Sequence, residues 1–409
     1  MKWAEGIDKL GIFLYLAISL FAIANIYSVD EGLGTKQFIF FGISLVVGLV
    51  IFTMRTKFFE NFAGIFFILG VLSLAGLHVF GTEILGQKNW YKFGGFTMQP
   101  VEFAKIGTAL MLANYVSGPD FNLKMRKSQL TVLAIVGVPA LVVLSIPDVG
   151  SLLVFTAFAI ALYREGLNGW LFIVGFVLAA VFLLSIAFNP LYITGVLVGL
   201  VLIFILFNYQ KIHWSVPTIV TIVGSLGILA GISFGTPKIM EKLPKHQRER
   251  IEVLYKGEKA FRDTSGYNLL YSKTAIGSGG FWGKGYKQGS VTQGKFVPEQ
   301  ETDYIFCTVG EEWGFFGSFL LVLFYAIYIG RIFYLAETQK NTFNRVFGYC
   351  FAGILLMHFS INLGMVMGLF PTVGIPLPYF SYGGSSLLAF SIMTAIFFKL
   401  NYADKNSLV

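Results

Sequence analysis

The chain has 409 residues, of which 56% are hydrophobic and 13% charged, with a mean hydropathy of +0.72. A soluble globular domain carries about 25% charged residues, so that class is excluded. The net charge of +8 is not a nucleic-acid signal, because much of it sits in short loops between apolar blocks.

Those blocks run for about 18–20 residues, the length of a helix that crosses a bilayer. Only helices or closed barrels satisfy the backbone in lipid, and the absence of alternation chooses helices. The pattern predicts an all-α polytopic membrane protein, one integral domain over 1–409, with about twelve spans. They cover 10–28, 37–54, 58–80, 100–116, 128–145, 150–163, 168–188, 190–207, 216–235, 314–334, 346–370 and 385–400. The sixth is short and reads as tilted or partly re-entrant. The seventh and eighth are joined only by Asn189-Pro190, a tight turn between antiparallel neighbours. The first run is full length with no small-residue cleavage site behind it, so no cleavable signal is expected. Cys307 and Cys350 fall at or in helices and imply no disulfide. No internal repeat is found, which disfavours inverted-repeat transporter folds.

Orientation follows from lysine and arginine in the short loops. With the N-terminus inside, the inner loops and tails hold 14 basic residues and the short outer loops three, Lys36, Lys88 and Lys92. Both termini are then expected in the cytoplasm, and the long loop 236–313 outside.

The outer loops carry the chemistry. Loop 81–99 places Trp90 and Tyr91 between Lys88 and Lys92, as an interfacial aromatic belt or as part of a site. The fourth span opens Gln99-Pro100-Val101-Glu102-Phe103-Ala104-Lys105, with Pro100 suited to a first helical turn. Glu102 and Lys105 are three apart and share a helix face within the membrane, as a structural ion pair or a site wall. Asp148 is placed to cap the next helix and adds a carboxylate on the same side.

The long loop begins basic, with eight lysines and arginines between Lys238 and Arg262. That run reads equally as an anion-binding surface or as a solvated amphipathic helix. Seven of the 18 residues from Gly277 to Gly294 are glycine. Their backbone suits close approach to an anion, or simply a flexible loop. The run is not a P-loop, because Lys284 is followed by Gly285, and Trp282 breaks any Gly-x-Gly-x-x-Gly match. Glu299, Glu301, Asp303, Glu311 and Glu312 follow within 14 positions, in a chain with only 22 acidic residues. The last outer loop, 371–386, is irregular backbone between apolar helices, which at membrane depth must be buried or line a cavity. His358 and Asn362 lie one turn apart just before it.

Four motifs together resemble the shape, elongation, division and sporulation family of bacterial membrane proteins, its elongation members more than its division members. They are Trp90 with Gln-Pro-Val-Glu-Phe-Ala-Lys (99–105), Pro-Asp-Val-Gly (147–150), Ala-Ile-Gly-Ser-Gly-Gly-Phe-Trp-Gly-Lys-Gly (275–285) with Phe-Val-Pro-Glu (296–299) and Thr-Asp-Tyr-Ile-Phe (302–306), and Gly-Ile-Pro-Leu-Pro-Tyr-Phe-Ser-Tyr-Gly-Gly-Ser-Ser (374–386). The resemblance implies a peptidoglycan glycosyltransferase that polymerises lipid II on the outer face of the cytoplasmic membrane and releases undecaprenyl pyrophosphate. The family's essential aspartate falls on Asp303, its conserved glutamate and lysine on Glu102 and Lys105, and its tryptophan on Trp90.

Substrate contacts or site walls are expected at Trp90, Gln99, Glu102, Lys105, Asp148, Lys284, Glu299, Asn362, Ser381 and Ser385. A divalent cation, Mg or Mn, is a possible cofactor. The expected partners are a class B penicillin-binding protein, which supplies the transpeptidase, and membrane proteins of the elongation complex. Departures are the span count, twelve against a usual ten, with an extra helix pair in 168–236; Glu301 where many members carry histidine; and Val101 where serine is common. Competing readings are a lipid II flippase, a division-specific polymerase and a scaffold. A transporter should hold its polar groups near the midplane, whereas here they gather on one side.

Overall fold

The computed structural model describes residues 6–84, 87–94, 96–146, 148–243, 245–264 and 266–406. Lys2 and Pro147 lie outside them. The chain resolves into two compact units, one formed by 1–167 with 271–409 and one by Asn168–Leu270.

The first unit begins with α1 (Lys9–Val29) and α2 (Glu31–Thr53), joined at Asp30, whose carboxylate caps α2 through the amides of Gly32 and Leu33. A short α3 (Thr56–Asn61) leads into α4 (Ala63–Phe80). Loop 81–99 then folds into a small antiparallel sheet, β1 (Thr82–Ile84), β2 (Gln87–Phe93) and β3 (Phe96–Met98), with Thr82 opposite Trp90 and Tyr91 opposite Met98. No strand was expected there. Side chains alternate along β2. Asn89 is buried and Tyr91 donates from its hydroxyl to the Ser73 carbonyl at 2.7 Å, while the flanking Lys88 and Lys92 are exposed.

Next come α5 (Pro100–Val116), α6 (Arg126–Ser145), α7 (Val149–Phe155) and α8 (Phe158–Arg164). Pro100 opens α5, where its missing N–H is not needed. Among the described residues, ten helices are long and apolar enough to cross a membrane. The other two expected spans are present in different form. The fourth is the 17-residue α5, which carries two charges, and the sixth is broken between α7 and α8 at Thr156 and Ala157.

The second unit holds α9 (Trp170–Ala187), α10 (Pro190–Asn208) and α11 (Val216–Lys242), followed by α12 (Lys245–Lys256) and a 3-10 turn over Glu258–Phe261. None of the α10 side chains is buried, so its apolar surface is left for lipid. Ser185 donates to Ser233 at 3.0 Å, tying α9 to α11.

The long loop is therefore largely helical. The basic run lies on α11 and α12, where Lys245–Glu249, Arg248–Glu252 and Lys256–Glu252 pair one turn apart at 3.8, 3.5 and 2.8 Å. That is the amphipathic-helix alternative, with part of the positive charge matched on the same helix.

The chain continues with α13 (Tyr267–Ser278), α14 (Ser290–Gln293), α15 (Ile305–Glu312), α16 (Gly314–Thr338), α17 (Thr342–Met367) and α18 (Gly384–Asn406). The first unit is packed around α17, most of whose side chains are buried. Cys307 and Cys350 are buried free thiols. At the end of the unit formed by the expected cytoplasmic loops, Arg331 pairs with Asp8 at 2.6 Å, Arg164 with Glu337 at 2.7 Å and Arg345 with Glu165 at 2.8 Å.

Candidate active site

At the opposite end of the first unit the expected outer features converge. The loop between α17 and α18 is the hub. A Cβ added to Gly150 would lie 2.5 Å from the Val373 carbonyl, so the turn after Asp148 packs directly against this loop. Gln37 on α2 donates to the Ser381 carbonyl and accepts from the Gly383 amide, both at 3.2 Å. The Gln99 amide donates to the Ser385 hydroxyl at 3.3 Å, joining the start of α5 to the start of α18.

The segment carrying Asp303 is stitched to the same loop. Ser381 donates from its hydroxyl to the Thr302 carbonyl at 2.6 Å, and accepts there from the Leu377 amide at 2.8 Å. The Asn362 side-chain amide donates to the carbonyls of Asp303 at 2.8 Å and Ile375 at 2.7 Å. The Tyr382 amide donates to the Glu301 carbonyl at 2.8 Å. Asp303 itself is half-buried, with its Oδ2 facing Gly374, which has a φ of +71°. Even a Cβ at 374 would come within 3.3 Å of that oxygen, so a glycine there leaves the carboxylate room.

Glu299 shapes the turn ahead of it. It has a φ of +60°, an uncommon conformation for a residue with a side chain. Its carbonyl accepts from Thr302 and Tyr304 at 3.1 and 3.2 Å, and its carboxylate accepts from the Thr302 hydroxyl at 3.0 Å. Burial raises the pKa of the neighbouring Glu301, and Glu299 adds to that.

Deeper in the unit, Lys105 donates to Glu102 at 2.8 Å and to His358 Nε2 at 2.6 Å, with all three side chains buried. The ammonium also lies 5.5 Å from the centre of the Phe390 ring. Asp148 accepts from the Ser151 amide and hydroxyl at 2.9 and 2.8 Å and from Asn89 at 3.1 Å. Burial pushes its carboxyl above the usual range, against the pull of Ser151 and the positive charge of Lys105. Trp90 is half-buried on the β2 face that also carries Lys88 and Lys92.

Lys284 donates to Glu311 at 2.6 Å and to the Ser290 hydroxyl at 2.9 Å. Glu311 is fully buried and also accepts from the Val291 and Thr292 amides at 2.9 and 2.8 Å and from the Thr292 hydroxyl at 2.7 Å. Burial alone would raise its pKa, but Lys284 and these donors outweigh that and hold it low.

Two glycines of the run serve close backbone packing. A Cβ at Gly279 would sit 2.0 Å from the Gly310 carbonyl, and one at Gly283 2.2 Å from that of Glu312. The Lys284 and Gly285 amides are used on the carbonyls of Glu311 and Glu312, each at 3.0 Å. The loop is further clamped to the corner between α1 and α2. Lys287 pairs with Glu31 at 2.5 Å and Lys295 with Asp30 at 3.3 Å, while Ser28 hydrogen-bonds Glu312.

The arrangement thus holds one half-buried aspartate on a segment tied by Asn362 to the helix that also carries His358, part of the buried Glu102–Lys105–His358 group. Sequence reasoning did not single out Gln37 or Asn89, which carry no motif of their own. Among the described residues no group of three or more histidines, cysteines, aspartates or glutamates is placed to hold a metal ion.

Fold and site together define a polytopic α-helical membrane protein with a polar site at one end of its helical bundle. The chain belongs to the FtsW/RodA/SpoVE family of cell cycle proteins, whose profile matches residues 4–183 and 172–406. It is 29% identical over 386 residues to the peptidoglycan glycosyltransferase MrdB of Escherichia coli K12, covering 93% of this chain and 90% of that protein. It is 27% identical to the peptidoglycan glycosyltransferase RodA of Treponema pallidum, covering 98% and 99% of the two chains. Among solved structures, a chain of a peptidoglycan synthase complex that coordinates polymerisation and crosslinking matches with a TM-score of 0.71 at 23% identity, covering 97% of this chain and 98% of that one. RodA of Thermus thermophilus matches with a TM-score of 0.65 at 23% identity, covering 99% of each chain. These solved structures share the fold.

Proposed function

We propose that this protein is a peptidoglycan glycosyltransferase that polymerises lipid II during cell elongation. The class of activity follows from family membership and from near full-length similarity to relatives bearing that name. The observation that carries the site assignment is the anchoring of Asp303. Its own carbonyl and that of Thr302 are both bound, and its carboxylate Oδ2 faces Gly374.

Glycosyl transfer from a pyrophosphate donor needs a base for the acceptor hydroxyl and charge stabilisation for the leaving group. Asp303 is the base. A carboxylate held on a rigid segment loses little orientation when substrate binds. Lys105 is the buried cation nearest in function to the pyrophosphate, since Lys284 is neutralised by Glu311. Trp90, Gln99, Ser385 and Asp148 form the surrounding wall, and Asn362, Ser381 and Glu299 position Asp303. A divalent cation, Mg or Mn, would serve here as a counter-ion of the donor's pyrophosphate.

With the basic loops in the cytoplasm, both termini lie inside and the Asp303 end faces outward. The transfer then occurs on the outer face of the bacterial cytoplasmic membrane and releases undecaprenyl pyrophosphate. A class B penicillin-binding protein is the partner that would crosslink the strands, in line with the synthase complex among the structural neighbours. A flippase reading has less support, because the polar groups cluster at one end of the first unit and not on broken helices at its middle.

The test is polymerisation of labelled lipid II by the purified protein with its class B partner, alongside Asp303→Ala and Asp303→Asn. Glycan polymer from the wild type and none from either variant is expected. Full activity in Asp303→Asn would remove the base role. No polymer from the wild type under any condition would overturn the enzyme reading.

A further inference from the structure

His358 is buried on α17 and has no role in the reaction as described so far. Its two ring nitrogens are both engaged. Nδ1 lies 3.1 Å from the Pro376 carbonyl, which can only accept, so Nδ1 carries the proton. Nε2 lies 2.6 Å from the Lys105 ammonium, which can only donate, so Nε2 is bare. The imidazole is thus a neutral bridge in one defined tautomer, and its edge rests on the Phe390 ring at 5.0 Å and 88°.

The bridge ends on the loop that holds Asp303. Pro376 follows Ile375, whose carbonyl is bound by Asn362, one turn further along α17. The same Asn362 amide binds the Asp303 carbonyl. One helix therefore grips two consecutive carbonyls of the loop and, through them, ties the lysine to the aspartate segment. A shift of the loop at Pro376 moves the imidazole, and with it the acceptor that, beside Glu102, aims the ammonium.

We propose that His358 is a positioning residue that couples the Glu102–Lys105 pair to the Asp303 segment, setting the ammonium and the carboxylate in register for the transfer step. This rests on the glycosyltransferase reading above. Misplacing a reacting group by about 1 Å costs on the order of 100-fold in rate, so loss of the bridge should appear in kcat rather than in substrate affinity.

The experiment compares kcat and KM for lipid II in the wild type, His358→Leu, His358→Gln, Lys105→Met and the Lys105→Met/His358→Leu pair, with the class B partner present. Glutamine can accept from Lys105 and donate to Pro376, whereas leucine does neither. The expected result is a roughly 10- to 100-fold fall in kcat for His358→Leu with KM unchanged. Recovery of most of that activity in His358→Gln is expected, with no further loss when His358→Leu is added to Lys105→Met. Nitrogen NMR of histidine-labelled protein should show His358 as the Nδ1–H tautomer, which decides the bridge even if His358→Leu fails to fold.

Wild-type kcat in His358→Leu, losses that multiply with Lys105→Met, or an Nε2–H tautomer would each overturn the coupling while leaving the enzyme reading intact. Absence of polymer from the wild type would take both down together.

Discussion

Replacing Lys105 by methionine removes the cation that pairs with Glu102. Glu102 is 1% exposed and its Oε1 accepts from Lys105 at 2.8 Å, while its Oε2 makes no hydrogen bond among the described residues. The substitution leaves a buried carboxylate without a donor. Breaking a buried pair from one side costs about 3–5 kcal/mol, because the remaining charge has no water. Glu102→Gln should cost less, about 1.5–3 kcal/mol, since an amide oxygen still accepts from Lys105 and the ammonium keeps His358 and Phe390. Glu102→Leu with Lys105→Met removes both charges and should regain most of the loss, offset by about 1–3 kcal/mol for the His358 nitrogen left without its donor. Denaturant or thermal unfolding in detergent gives the stabilities, and lipid II polymerisation run in parallel gives the activities. The expected outcome is a double variant that recovers stability yet polymerises no faster than Lys105→Met. Equal destabilisation by Lys105→Met and the double variant would refute the buried-charge argument. Recovered polymerisation would refute a role for the pair in the site.

Three further outcomes are expected. Glu311→Ala leaves Lys284 and the 291–292 amides without their shared acceptor and should destabilise by about 3–5 kcal/mol, with limited proteolysis showing first cleavage in 284–295. Gly283→Ala, with a φ of +81° and a Cβ 2.2 Å from the Glu312 carbonyl, should prevent the loop from seating and lower the yield of folded protein in detergent, read by size-exclusion chromatography. Glu301→Gln tests a raised carboxyl. Its folded-state pKa lies above the ordinary carboxylate value of about 4.3, so the stability it contributes is present below that pH and is lost as pH rises through the folded value. The glutamine variant should therefore show a flatter fall in unfolding temperature between pH 4 and neutrality, and an unchanged slope would contradict the shift.

Much of the architecture was legible because its causes are local. Apolar length marks a spanning helix wherever it occurs, so ten spans were readable directly, and Pro100 and Asp148 announced helix starts through their own backbone chemistry. The resemblance pointed to Asp303, Glu102 and Lys105 as candidates because their motifs are contiguous. Other features depended on partners remote in sequence. Glu311 and Glu299 are both acids in one outer loop, yet Glu311 lies buried under Lys284 and two amides while Glu299 forms a left-handed turn. Two of the glycines read as a flexible loop or anion cradle, Gly279 and Gly283, are packed against carbonyls of 310–312. The sheet at 82–98 escaped notice because seven residues of β2 between two three-residue strands carry too little alternation to stand out.

The sequence by itself determined the solvent this chain lives in and the spans that cross it, because both depend on hydropathy summed over neighbours in the chain. It also marked which loops carry acids and bases. Which of those charges are spent inside the protein was decided only by tertiary structure. Lys284 and Lys105 look alike as letters. Packing sets one against a saturated structural carboxylate, and the other against Glu102 and a histidine 253 positions away that leads to Asp303. Burial makes the difference matter, since a charge removed from water must take its partner from whatever the fold brings within hydrogen-bond reach.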